Sequence, residues 1–320
     1  MHFQTYAVIG TGALGGYYGG RLQQAGAEVH FLLRSDYEHV CRQGLRVESK
    51  DGDFELPQVN AYRRAAEMPP CDVVLVTLKA TQNQRLPELL PPLVKKNSVV
   101  AVLQNGLGIE AEVASLVGAD KVVGGLCFIC SNKVGPGHIR HLDYGLITLG
   151  DYTADQSPGG ITTRLRQLGA DLEQARIPVE LADDLVMARW KKLVWNIPFN
   201  GLSVVLNAAT NELIDCEPTR TLAIELMQEV LAAAEAAAQR HIPASFIQDM
   251  VTATARMKPY QPSMKLDYEA GRPMELEAIF GRPLRLAKAA GLELCRLEML
   301  YQQLNFLDNR PSGWAGLGRI

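Results

Sequence analysis

The 320-residue sequence has no dominant charge: 32 Lys and Arg stand against 35 Asp and Glu, a formal net charge of −3. Without a basic excess there is no field to hold a polyanion or an anionic lipid surface, so neither nucleic acid nor a membrane is an expected partner. No apolar run approaches the ~20 residues that a spanning helix needs, and the first residues lack the apolar core of a secretion signal. A cytoplasmic location is expected on those grounds. The six cysteines, Cys41, Cys71, Cys127, Cys130, Cys216 and Cys295, are too dispersed for a disulfide framework and suit reduced thiols. Cys127 and Cys130 form one C-x-x-C, but no second pair follows at zinc-site spacing. The pair lies in a run that reads as a strand, where residues three apart face opposite sides, so a redox or metal pair is disfavoured. His138 and His141 fall beside Gly and Pro and read as solvated turn residues. No metal site is expected.

What the sequence does have begins at its first apolar run. Tyr6-Ala7-Val8-Ile9 leads directly into Gly10-Thr11-Gly12-Ala13-Leu14-Gly15, a GxGxxG between a strand pattern and a helix pattern. In that context Gly10 serves a tight turn, Gly12 lets the backbone approach a pyrophosphate, and Gly15 permits close helix–strand packing. The phosphates then meet free N–H groups at a helix N-terminus. The second strand, Glu28 to Leu33, ends in Arg34-Ser35-Asp36 rather than in the acidic residue usual for NAD. A guanidinium can pair bidentately with a 2′-phosphate, so Arg34 predicts NADP (NADPH). Asp36, two residues on, can still serve a ribose.

Length predicts two domains. The first half alternates short β runs with helix patterns, and the runs at 72–78 and 98–103 are apolar on nearly every residue, as in a parallel sheet covered on both faces. Further β runs at 121–130 and 146–150 extend that sheet with antiparallel strands, and a helix and strand near 162–179 complete it. From about Asp184 helical patterns take over, among them an alanine-rich segment between Glu217 and His241 that can offer a dimer face. The predicted fold is an α/β N-terminal Rossmann-like doubly wound sheet, residues 1–183, plus an all-helical C-terminal domain, residues 184–320.

Two clusters in the helical part carry chemistry. Lys192, Asn196 and Asn200 follow i, i+4, i+8 spacing and share one helix face. A cation and two amides flanked by Trp190, Leu193, Ile197 and Phe199 are costly to bury unless they meet something polar, such as a substrate. The bland alternative is an exposed lysine with two asparagines that cap or bridge helices. Pro198 interrupts the same pattern. The second cluster runs from Ser263 to Glu275, with a break at Gly271 and Pro273. Ser263 reads as preceding one helix and Glu275 as beginning another. In the first half, Lys79 and Asn105 follow strand ends, where open α/β sheets bind ligands.

In order and spacing these pieces resemble the ketopantoate reductase family (2-dehydropantoate 2-reductase) over nearly the whole chain. The matching residues are Gly10 to Gly15, Leu78-Lys79, Gln104-Asn105-Gly106, Trp190-Lys191-Lys192-Leu193 with Asn196 and Asn200, and Ser263-Met264 with Gly271-Arg272 and Glu275. The resemblance implies an active site in the cleft between the domains and NADPH-dependent reduction of ketopantoate to pantoate, as in pantothenate biosynthesis. It implies Lys192 as the catalytic lysine, with Glu275 near the reacting centre. Asn105, Asn196, Asn200 and Ser263 match substrate positions. Gly10, Thr11, Gly12, Ala13, Leu14, Gly15, Arg34, Lys79, Asn105 and Glu275 match cofactor positions. One departure stands out: Thr210 falls where the family carries a further substrate-binding Asn, and Asn211 is displaced by one residue. The alternatives are reduction of another small 2-oxo acid or an imine, or a non-catalytic NADP(H) sensor, and a homodimer is a further expectation.

Overall fold

The computed structural model describes residues 1–310. Positions 311–320 of the expected helical domain lie outside the described residues. Packing divides the chain into two units, Met1–Asn105 with Ile109–Ala188, and Gly106–Gly108 with Arg189–Ile320. Among the described residues no helix is long and apolar enough to cross a membrane.

The first unit is built on one sheet. Its strands are β1 (Thr5–Ile9), β2 (Glu28–Leu32), β3 (Leu45–Ser49), β4 (Phe54–Leu56), β5 (Asn60–Tyr62), β6 (Cys71–Val76), β7 (Val94–Val102), β8 (Val122–Gly135), β9 (His138–Asp151) and β10 (Val179–Ala182). The spatial order is β4-β3-β9-β8-β7-β6-β1-β2-β5, with β10 beside β9. Helices α1 (Ala13–Gln24), α2 (Tyr37–Gln43), α3 (Leu86–Leu89), α4 (Ile109–Val117) and α5 (Thr163–Gln174) connect the strands. Because β1, most of β6 and the second half of β7 are apolar at successive positions, both sheet faces must be covered there. Tyr6, Val8, Phe31, Val73 and Leu75 pack into one core with Tyr17, Tyr18 and Leu22 of α1 and Leu165, Leu168 and Leu172 of α5. Their neighbours of opposite facing, Ala7, Ile9, Val74 and Val76, are buried as well.

Strand β1 pairs in parallel with β2 on one side and β6 on the other, so the chain direction of sheet growth reverses there. Ile9 stands opposite both Leu32 and Val76, and Val76 opposite Val102. Four carboxyl ends therefore line one edge of the sheet, the place where open α/β sheets bind ligands.

The middle of this unit differs from the expectation in three ways. Strand β8 runs parallel to β7, and only β9 is antiparallel to it. The two form a long hairpin because the break is only Pro136-Gly137, with Gly137 at φ +62°. His138 and His141 consequently lie in β9 rather than in a turn. His141 is 2% exposed; its Nδ1 meets Ser49 Oγ at 2.9 Å and its Nε2 meets the Tyr144 carbonyl at 2.9 Å. Cys127 and Cys130 are both buried in β8, whose register shifts between Phe128 and Ile129. Among the described residues no group of three His, Cys, Asp or Glu side chains is arranged to hold a metal ion.

The second unit is helical. Helix α6 (Leu185–Val205) begins where Asp184 Oδ1 accepts the Met187 N–H at 2.9 Å, an N-cap. It continues through Pro198 without ending. There follow α7 (Thr210–Asp215), α8 (Glu217–Ala238), α9 (Ser245–Arg256), α10 (Ser263–Glu269), a π-helical turn (Glu277–Gly281), α11 (Arg282–Ala289) and α12 (Cys295–Asp308). The alanine-rich α8 turns Ala223, Leu226, Met227, Val230, Ala233 and Ala234 inward and packs on α7, α9, α11 and α12. Ala233 and Ala234 are thereby spent inside the unit, while Ala232 and Ala236 of the same alanine run remain exposed.

Candidate active site

The glycine turn sits at the carboxyl end of β1. Gly10 has φ +100°, and a Cβ there would lie 2.5 Å from the Leu78 backbone nitrogen, so only glycine fits. A Cβ on Gly15 would come within 2.5 Å of both the Gly10 carbonyl oxygen and Thr77 Oγ1; α1 rests directly on the strand ends. Gly12 is the opposite case. A Cβ there would meet only the Gly10 oxygen, at 3.9 Å, so the space above it is open.

Two threonines pin the turn. Thr11 Oγ1 donates to the Leu32 carbonyl at 2.9 Å, and Thr77 Oγ1 donates to the carbonyls of Ile9 and Gly10 at 3.0 and 2.8 Å. No side chain caps the start of α1, which leaves its first N–H groups at Ala13 and Leu14 for an anion. Open space over Gly12 beside uncapped N–H groups fits a pyrophosphate.

Arg34 follows β2, is exposed, and has no hydrogen bond or ion pair among the described residues. Asp36, the alternative ribose partner, is committed elsewhere. Its carboxylate is 7% exposed, pairs with Lys133 at 2.6 Å and accepts the Gly137 N–H at 3.0 Å. Burial opposes its ionisation, but the ammonium and the N–H outweigh this and hold its pKa below the ordinary value. The hairpin turn therefore consumes Asp36, which removes it as a ribose ligand.

Lys79 and Asn105, both half-buried, follow β6 and β7 at the same sheet edge. Gln104 fixes that corner: its Nε2 donates to the Leu78 carbonyl at 2.8 Å and to Asn83 Oδ1 at 2.6 Å. Topology thus gathers Gly10 to Gly15, Arg34, Lys79 and Asn105 along one edge. Thr77 belongs with them although sequence reasoning gave it no role. Its only signal is a hydroxyl closing an otherwise apolar strand.

In the second unit Lys192 is half-buried on α6, and Asn196 and Asn200 are 5% and 3% exposed. Lys191 points elsewhere, over the Phe246 ring at 5.8 Å. The two asparagines differ. Asn200 Nδ2 donates to the Asn196 carbonyl at 3.0 Å, and its Oδ1 accepts the Met264 N–H at 3.2 Å. It bridges α6 to the start of α10, and so sets Ser263 beside the α6 stripe. Asn196 Nδ2 is buried with no partner. An orphaned buried donor is expensive, and such groups mark places where a ligand completes the bonding. Ser263 opens α10 as its first helical residue, half-buried. Glu275 is 4% exposed and lies just before the π-helical turn, a form frequent at functional sites. Thr210 is fully buried, and both its N–H and its hydroxyl donate to the Tyr260 carbonyl, at 3.1 and 3.2 Å.

A predominantly parallel sheet with a dinucleotide-type glycine turn, followed by a helical unit bearing a Lys–Asn–Asn stripe, defines a class of Rossmann-fold proteins with a helical C-terminal unit. The chain belongs to the ketopantoate reductase family. Residues 6–154 match the ketopantoate reductase PanE/ApbA family, and residues 184–308 match its C-terminal counterpart. The chain is 59% identical to the 2-dehydropantoate 2-reductase of Nostoc sp., over 97% of this chain and 97% of that protein. Among solved structures, the 2-dehydropantoate 2-reductase of Geobacter metallireducens is similar with TM-score 0.90 and 44% identity, covering 94% of this chain and 99% of that one. The enzyme of the same name from Methylococcus capsulatus gives TM-score 0.86 and 34% identity over 97% and 99%.

Proposed function

We propose that this protein reduces 2-dehydropantoate (ketopantoate) to pantoate with NADPH, and that Lys192 is its general acid. Family membership and the 59% identity to the Nostoc 2-dehydropantoate 2-reductase support the reaction. The observation that carries the site is the unpartnered Asn196 amide, one helical turn from Lys192 on α6. In this reading the Gly10 to Gly15 turn, including Thr11, Ala13 and Leu14, holds the pyrophosphate, and Arg34 pairs with the 2′-phosphate. Lys79, Asn105 and Glu275 serve the nicotinamide end.

NADPH, when held by these residues, would supply the hydride for the keto carbon. Negative charge then develops on the carbonyl oxygen, and the Lys192 ammonium stabilises it more than it stabilises the ground state. Lys192 Nζ passes a proton to that oxygen and is reprotonated from solvent. Glu275 orients the ammonium or accepts from the product hydroxyl. Asn105, Asn196 and Ser263 hold the substrate by hydrogen bonds, while Asn200, bonded at both ends of its amide, acts by fixing α10.

A second reading, reduction of a different branched 2-oxo acid, rests on Thr210. Its hydroxyl is given to the Tyr260 carbonyl where the family carries a substrate-binding Asn. A panel of 2-oxo acids followed by NADPH oxidation separates the two. Ketopantoate should have the highest kcat/KM. A branched 2-oxo acid that surpasses it tenfold would replace the substrate, and binding of NADPH with no turnover on any member of the panel would overturn the reductase reading.

A further inference from the structure

The mechanism leaves unused a buried cation, Lys265, which is only 2% exposed. Its ammonium meets Asn207 Oδ1 and the Glu269 carboxylate, the latter at 3.1 Å, and lies 6.0 Å from the Tyr268 ring centroid. Burying an ammonium is costly, so a lysine kept there must repay it through what its bonds fix. The three residues from Ser263 to Lys265 show what that is. Met264 gives its N–H to Asn200, Lys265 gives its ammonium to Asn207, and just upstream the Tyr260 carbonyl takes both donors of Thr210. Asn200, Asn207 and Thr210 lie on or just beyond the second half of α6. The polar stripe of that helix therefore divides. Its first half carries Lys192 and Asn196, while Asn200, with Asn207 and Thr210 beyond the helix end, grips the segment that presents Ser263.

We propose that Lys265, through Asn207, is a positioning residue that holds the Tyr260 to Lys265 segment and thereby aims the Ser263 hydroxyl at the substrate. Thr210 has the same duty, which accounts for a threonine where a substrate ligand is otherwise expected. The kinetic part rests on the reading that Ser263 contacts substrate; the clamp itself does not.

The test uses the full chain with Lys265→Met and Asn207→Gly. Glycine is chosen because Asn207 has φ +52°, where alanine would add strain unrelated to the lost bond. Asn207→Asp retains an acceptor for the ammonium. Hydrogen exchange read over the peptide containing residues 260–265 should quicken at least tenfold in Lys265→Met and Asn207→Gly, and return to wild type in Asn207→Asp. Unchanged exchange in Asn207→Gly, the milder variant should Lys265→Met fail to fold, overturns the clamp. In the NADPH assay Asn207→Gly should raise substrate KM about tenfold with kcat within threefold, and this effect should vanish in a Ser263→Ala background. A KM effect that persists there overturns the action through Ser263. Faster exchange together with a Ser263→Ala variant of unchanged KM would uphold the clamp and reject the substrate role of Ser263.

Discussion

At the residue scale the two buried asparagines of α6 make opposite predictions. Asn200 is bonded at both ends of its amide. Asn200→Ala strands the buried Met264 N–H and should cost about 1–3 kcal/mol of stability by chemical denaturation. Asn196 Nδ2 has no partner to lose. Asn196→Ala should leave the unliganded protein within about 1 kcal/mol of wild type while raising substrate KM. Equal stability losses in both variants would remove the distinction. Arg34 gives a second residue-level outcome. Arg34→Ala should weaken NADPH by roughly 10–100-fold, the worth of a charge-assisted hydrogen bond of about 1.5–3 kcal/mol, and leave NADH almost untouched. These residues were not equally legible. Arg34 invites a cofactor reading because it follows a strand end, where open α/β sheets bind ligands. The Asn207 to Lys265 contact spans 58 residues, and nothing local marks Lys265 as buried.

At the scale of the element, the glycine turn and α1 separate two roles of glycine by direct geometry. Gly15→Ala places a methyl 2.5 Å from the Gly10 carbonyl and from Thr77 Oγ1, so α1 must move off the strand ends. Overpacking of this kind costs about 1–3 kcal/mol. Gly12→Ala meets nothing closer than 3.9 Å and should change stability by less than about 1 kcal/mol while abolishing dinucleotide binding. Calorimetric titration with NADPH beside denaturant unfolding reads both; retained NADPH affinity in Gly12→Ala would contradict the cradle. Elements such as β1 and β6 were readable as short continuous apolar runs, and α6 from the i, i+4, i+8 spacing of its polar residues. Strands β3, β4 and β5 were not, since three to five residues are too few for an alternation to stand out from a loop. The β8–β9 hairpin was read short for a related reason. Its bulges break the alternation near Phe128 and Cys130, and its charged outer half resembles a loop.

For the whole molecule, several buried and half-buried groups of the first unit link stability to pH. Burial holds the His141 pKa below the ordinary imidazole value, against the pull of the Tyr144 carbonyl and Asp51. His30 is lowered for the same first reason, with Glu28 opposing. A histidine whose folded pKa is depressed takes up a proton more readily when unfolded. Its stabilising contribution is therefore complete above about pH 6.5 and is lost as pH falls from there through the folded pKa. Asp72 acts in a lower window. Burial opposes its charge, but Lys95 and the N–H groups of Gln4 and Thr5 hold it at about 2, so its contribution persists until strongly acid pH. Stability should fall as pH drops below about 6.5, and the decline should be shallower in His141→Gln. An identical pH profile in that variant would remove His141 as the source.

The central claim is that the amine of Lys192 works on the carbonyl of a 2-oxo acid reduced by NADPH. Its most direct measurement is single-turnover reduction of ketopantoate by Lys192→Ala at saturating NADPH. The account predicts a rate lower by about 10²–10⁴-fold with NADPH binding intact. A loss smaller than roughly threefold would contradict it.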